Sequence, residues 1–144
     1  MAAPNVAQIY GMTGDVQWTS SAMTLGNTNM AGTIGATSPL FTASGGAGGA
    51  GSMLQYLQFR PLGTNIANVA RVFINKGNTP ATEANNVLFA EVTLPACTAA
   101  TTGAMDGVCL TVNLVMKGGT NVFLSLAGDA SGPGWKATGV GMKY

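Results

Sequence analysis

Residues 108–126 read VCLTVNLVMKGGTNVFLSL, two alternating segments on either side of a Lys-Gly-Gly-Thr break. Val108, Leu110, Val112 and Leu114 alternate with Cys109, Thr111 and Asn113. That period of two sets one face of a strand against an apolar neighbour, so the even-numbered face is expected to be buried. After Lys117-Gly118-Gly119-Thr120 the alternation resumes with Val122, Leu124 and Leu126. Glycine supplies the positive φ that a tight turn demands, and the two segments are expected to pair as a β-hairpin.

Working outward, segments of the same kind lie at 53–59, 66–75, 87–94 and 135–144. Pro61, Pro80, Pro95 and Pro133 fall between them, where a missing backbone donor harms no ladder. Six alternating segments separated by turn residues, with no 3.6-residue periodicity, predict an all-β fold: a jelly-roll-like β-sandwich over residues 53–144.

The composition sets limits on function. With 144 residues the chain has room for one domain, or one domain and an arm. Charged residues make up 8% against 47% hydrophobic, where soluble domains usually carry ~25% charged. Six cations and five carboxylates leave a net +1, too sparse for a phosphate-tracking surface, so no nucleic-acid partner is expected. Histidine is absent, which removes the commonest general base and nitrogen ligand. Asp15, Glu83, Glu91, Asp106 and Asp129 are scattered along the sequence rather than paired. No catalysis, metal or cofactor is expected. The Gly-rich run at 45–51 lacks the Lys-Ser/Thr ending of a phosphate-binding loop.

Residues 41–52, FTASGGAGGAGS, hold five glycines and no charge, the composition of a flexible hinge. They divide a 53–144 body from residues 1–40, read as an N-terminal arm or a set of short strands. The first cationic residue is Arg60, and no apolar run approaches the ~20 residues of a bilayer span. Folding in a reducing cytosol, without a membrane anchor, is therefore expected. In that reducing setting Cys97 and Cys109 are expected to be free thiols.

Two strands carry unusual second faces. Residues 66–75 set Ala70, Val72 and Ile74 on one side and Val69, Arg71 and Phe73 on the other. Residues 87–94 set Leu88, Ala90, Val92 and Leu94 against Val87, Phe89, Glu91 and Thr93. Exposed aromatics beside a charge call for cover by another strand, the arm or a neighbouring subunit, the alternative being a sandwich core on both sides. Phe73, Phe89, Arg71 and Glu91 are accordingly interface candidates, together with Trp18 and Tyr10 as aromatic anchors.

The blocks VARVFINKG at 69–77 and NNVLFAEVTLPA at 85–96, the stretch 113–126 and the ending 134–144 resemble a group of small tailed-bacteriophage proteins. The likeness covers roughly residues 60–144. It implies a virion structural protein that decorates an icosahedral capsid as a cement protein, with the major capsid protein and further copies of itself, as a homotrimer, for partners. The alternative is a carbohydrate- or receptor-binding β-sandwich of a phage tail or adhesin, which would display clustered aromatics on one face.

Overall fold

The computed structural model describes residues 13–32, 34, 38–46 and 49–144. Among these the chain forms eight strands: β1 Thr13–Trp18, β2 Phe41–Thr42, β3 Ser52–Pro61, β4 Asn68–Asn75, β5 Asn86–Leu94, β6 Val108–Met116, β7 Asn121–Leu126 and β8 Trp135–Lys143. One 3-10 turn at Glu83–Asn85 precedes β5.

The strands make two antiparallel sheets, sheet I in the order β1-β8-β3-β6 and sheet II in the order β2-β7-β4-β5. First pairs with last, second with seventh, third with sixth and fourth with fifth. A long two-stranded ribbon rolled over on itself gives this order, which makes the sandwich a jelly roll. Between the sheets lie Leu54, Leu57 and Phe59 of β3, Val72 of β4, Leu94 of β5, Leu126 of β7, Trp135 of β8 and Phe41 of β2, all essentially inaccessible to solvent. The alternate apolar side chains of β6 are half-buried against the same core, because β6 closes the edge of its sheet.

The expected hairpin at 108–126 is replaced by a crossing. β6 pairs with β3 in sheet I, and β7 pairs with β4 and β2 in sheet II. Both segments turn their alternate apolar residues inward, but from opposite layers, and periodicity is blind to that distinction. The crossing is tied to residue 43: Gly119 N donates to Ala43 O (3.1 Å) and Ala43 N to Thr120 O (2.8 Å). A Cβ on Gly118 would collide with Gly46 O, so this close approach requires glycine. The hairpin within one sheet is β4–β5 instead. Its connection is organised by buried Asn75, whose Oδ1 accepts from Gly77 N (2.7 Å) and Asn78 N (3.0 Å) and whose Nδ2 donates to Asn86 Oδ1 (2.6 Å).

The described residues between 13 and 42 are not separate from the body. β1 pairs along six residues with β8, and β2 with β7, so each sheet of the sandwich contains a strand from upstream of residue 53. The Gly-rich stretch between them serves a purpose other than the hinge its composition implied. Phe41, Ala43 and Ser52 are buried. Gly45, Gly46 and Gly51 adopt positive φ, and hydrogen bonds from Gly49 N to Gly46 O and from Gly51 N to Ser44 O fold the described residues into a compact turn.

Candidate functional site

The two outer faces of the sandwich differ in their cover. On sheet II, Glu91, Arg71 and Ser125 form one lateral row and Leu88, Phe73 and Phe123 the next. Asn27, Gly32 and Ile34 meet them from outside the sheet. Arg71 donates through Nη1 to Asn27 O (2.6 Å) and through Nε to Glu91 Oε1 (2.9 Å), and Asn86 Nδ2 donates to Gly32 O (2.7 Å). Ile34 packs with Phe73 and Phe123 into a second small core, with Leu88 at its margin. Phe73 is 0% exposed, so the cover it needs comes from its own chain, and it is withdrawn as a contact to another subunit. Arg71 and Glu91 likewise engage each other.

Leu88 reaches that outer face because of a bulge. The register runs Val72↔Ala90 and then Phe73↔Leu88, leaving Phe89 without a partner on β4. The extra residue reverses the alternation, moving Leu88 away from the Val92 and Leu94 face on which simple periodicity placed it. Phe89 itself stays 43% exposed at the edge of sheet II. Tyr10 lies outside the described residues.

Sheet I presents a different face. The register aligns Gly14, Met142, Met53 and Val115 in one row, Val16, Val140, Tyr56 and Thr111 in the next, and Trp18, Thr138, Gln58 and Cys109 in a third. These twelve positions carry no charged side chain. Trp18 and Val115 are 64% exposed and Val16 51%, while Met53, Tyr56, Val140 and Met142 are half-buried. Cations begin only in the next row, at Arg60 and Lys136. Trp18 is thus a member of an apolar band that crosses four strands, and it is the one expected interface residue placed there. The rest of the band was readable only once the pairing of β1, β8, β3 and β6 brought residues far apart in sequence side by side. Trp18 and Tyr56 stand on β1 and β3 with β8 between them.

The carboxylates with described contacts hold structure. Asp129 Oδ1 accepts from Gly26 N (2.7 Å), Asp15 Oδ2 from Gln17 Nε2 (3.1 Å), and Glu91 from Arg71. Among the described residues no three Cys, Asp or Glu side chains gather into a metal-binding group. Cys97 and Cys109 are free, the first half-buried with its Sγ donating to Gly63 O (3.2 Å), the second exposed on sheet I. A cavity of about 290 Å³ lies between residues 19–27 and 38–40, over β7. No protein-family model, curated protein or solved structure matches the chain.

Proposed function

We propose that this protein is a virion structural protein that decorates an icosahedral capsid and strengthens it by bridging capsomers, acting without catalysis. The observation that carries the reading is the uncharged apolar band on the outer face of sheet I, centred on Val16, Trp18, Tyr56 and Val140. An exposed apolar band on a sheet is a contact surface. Charge scarcity lowers the desolvation cost of covering it, and repetition over many copies multiplies modest contacts into stable attachment. The likeness of residues 60–144 to small tailed-phage proteins supports the choice of a capsid as the object bound. The partners are then the major capsid protein, met by sheet I, and two further copies of the chain in a homotrimer at the capsid surface.

The test uses residues whose side chains are largely free, so that folding is spared. Val16→Glu with Trp18→Glu places two carboxylates in the band on the strand at its edge. The parent is expected to run as a trimer in light scattering coupled to size exclusion, and to co-sediment with emptied tailed-phage particles. The double variant should keep the parent's circular dichroism and lose co-sedimentation. A monomeric parent without affinity for particles, or a double variant that still decorates them, refutes the reading. Binding of glycans by that parent would favour the receptor-binding alternative.

A further inference from the structure

The connection from β5 to β6 is tied down at its ends and bare between them. Cys97 and Asn65 exchange backbone hydrogen bonds (2.9 and 3.0 Å), Ala99 N donates to Thr64 Oγ1 (3.0 Å), and Met105 O accepts from Arg60 Nη1 (3.0 Å). Among the described residues no acceptor meets a backbone N–H from 100 to 107. Residues 98–107 are exposed apart from half-buried Met105. A segment with so few internal bonds moves locally at little cost in free energy.

This bare segment carries Asp106-Gly107, the sole Asp-Gly step in the chain, and no asparagine precedes a glycine. Glycine is demanded at 107 by packing: a Cβ there would lie 3.0 Å from Phe59 O and 3.0 Å from Arg60 Cδ. The same requirement leaves the nitrogen of residue 107 without a neighbouring side chain to shield it. The three aspartates differ in how they are held. Asp15 accepts from Gln17 and precedes Val16, and Asp129 accepts from Gly26 N and precedes Ala130. Asp106 is exposed, and among the described residues no hydrogen bond or ion pair engages its carboxylate.

We infer that Asp106 is a site of self-modification in the folded protein, isomerising to isoaspartate and thereby loosening the start of β6. The Gly107 nitrogen attacks Cγ of the Asp106 carboxyl group in its acid form, a step made unimolecular by the chain itself. The N–Cγ bond forms, and the hydroxyl leaves with the amide proton as water, closing a five-membered imide. Water then adds to the Asp106 main-chain carbonyl carbon, whose bond to the Gly107 nitrogen breaks as a proton returns to that nitrogen. One water leaves and one enters, nothing is oxidised or reduced, and the chain now runs through the side-chain carbon. The link between Met105, held by Arg60, and Gly107, packed on Phe59 O, is then one carbon longer. It does not fit between those two anchors, so one of them lets go beside the Phe59↔Val108 pair that opens β6. The inference does not depend on the capsid reading.

The experiment incubates the full chain warm at mildly acidic pH, folded in buffer and, in parallel, unfolded in guanidinium chloride. Peptide mapping with electron-transfer fragmentation counts isoaspartate at each aspartate, and the unfolded chain sets the intrinsic rate. Asp106 in the folded protein should convert within about tenfold of that rate, because the loop opens cheaply, and before Asp15 or Asp129. Asp106→Glu, which would have to close a six-membered ring, should suppress the product and leave the unfolding midpoint unchanged. Asp106→Asn should reach the same isoaspartate faster, with loss of ammonia. In the aged parent, amide hydrogen exchange across residues 108–110 should quicken by about tenfold or more, as local opening becomes easier. A folded rate lower than the unfolded one by more than about tenfold, earlier conversion at Asp15 or Asp129, undiminished product in the glutamate variant, or an aged chain with unchanged exchange at the start of β6 overturns the inference.

Discussion

Phe73 and Phe89 sit on neighbouring strands of sheet II, and truncating each in turn separates internal cover from free surface. Phe73 is fully enclosed by Ile34, Phe123 and Leu88. An aromatic side chain buries on the order of 200 Å², which at ~25 cal/mol/Å² is an upper estimate of ~5 kcal/mol. Core Phe→Ala changes cost ~3–5 kcal/mol. Phe89 is 43% exposed on a bulged edge strand that relaxes easily, and its loss is expected to cost ~1–2 kcal/mol. With a urea m-value near ~2 kcal/mol/M, Phe73→Ala should lower the unfolding midpoint by about 2 M, and Phe89→Ala by less than about 1 M. Phe73→Asp, which adds an unpaired buried charge, should not fold. The cover is intramolecular, so the Phe73→Ala shift should not change with protein concentration. A double-mutant cycle with Ile34→Ala should show a coupling of ~0.5–3 kcal/mol. Equal midpoint shifts for the two phenylalanines, or a Phe73 effect that grows on dilution, would refute the assignment of cover to Ile34 and its neighbours of the same chain.

Other substitutions probe the crossing and the strap over sheet II by the same unfolding assay. Gly118→Ala forces a Cβ onto Gly46 O and should cost ~1–3 kcal/mol, whereas Gly14→Ala, with nothing within 4 Å of its Cβ, should stay within ~0.5 kcal/mol of the parent. Arg71→Ala removes the donor to Asn27 O from a side chain only 11% exposed and should cost ~1.5–3 kcal/mol, while Glu91→Ala, at 41% exposure, should cost less than ~1 kcal/mol.

The positions of the strands were legible because period-two alternation and interrupting prolines are local signals. β3 to β8 fall within two or three residues of the segments so read. Partnership was not legible. Val108 to Leu114 and Val122 to Leu126 present inward faces that look alike whether the segments share a sheet or face each other across the core, and only the third layer of contacts at Ala43 and Gly46 distinguishes the two. The bulge at Phe89 was equally hidden, since a one-residue insertion in a ladder leaves no mark on the sequence of either strand. The need for cover over Phe73 was readable from an aromatic beside Arg71. Its supplier was not, because Ile34 lies in a stretch of Gly, Ala and Thr with no periodicity of its own.

Sheet II therefore satisfies within one chain the contact that its aromatic face demanded, and the assembly contacts proposed above are assigned to other surfaces. Val16, Trp18, Met53, Tyr56, Val115, Val140 and Met142 are large and on average roughly two-fifths accessible, so together they offer on the order of 500 Å². A standard interface buries ~800 Å² on each partner. The sheet I band is thus enough for one interface at most, not two. If it meets the capsid, the proposed contacts between copies are assigned to another apolar surface, the flank where β5 and β6 end their sheets with Val87 and Phe89 exposed. β6 brings nine residues to that flank without a charge or a proline, the devices by which edge strands normally discourage pairing. This division of surfaces fixes what the double glutamate variant at Val16 and Trp18 should do: it should lose the particle and remain a trimer. A variant that falls to monomers would instead show that the band holds the copies together, and would leave the capsid contact to the β5 and β6 edges.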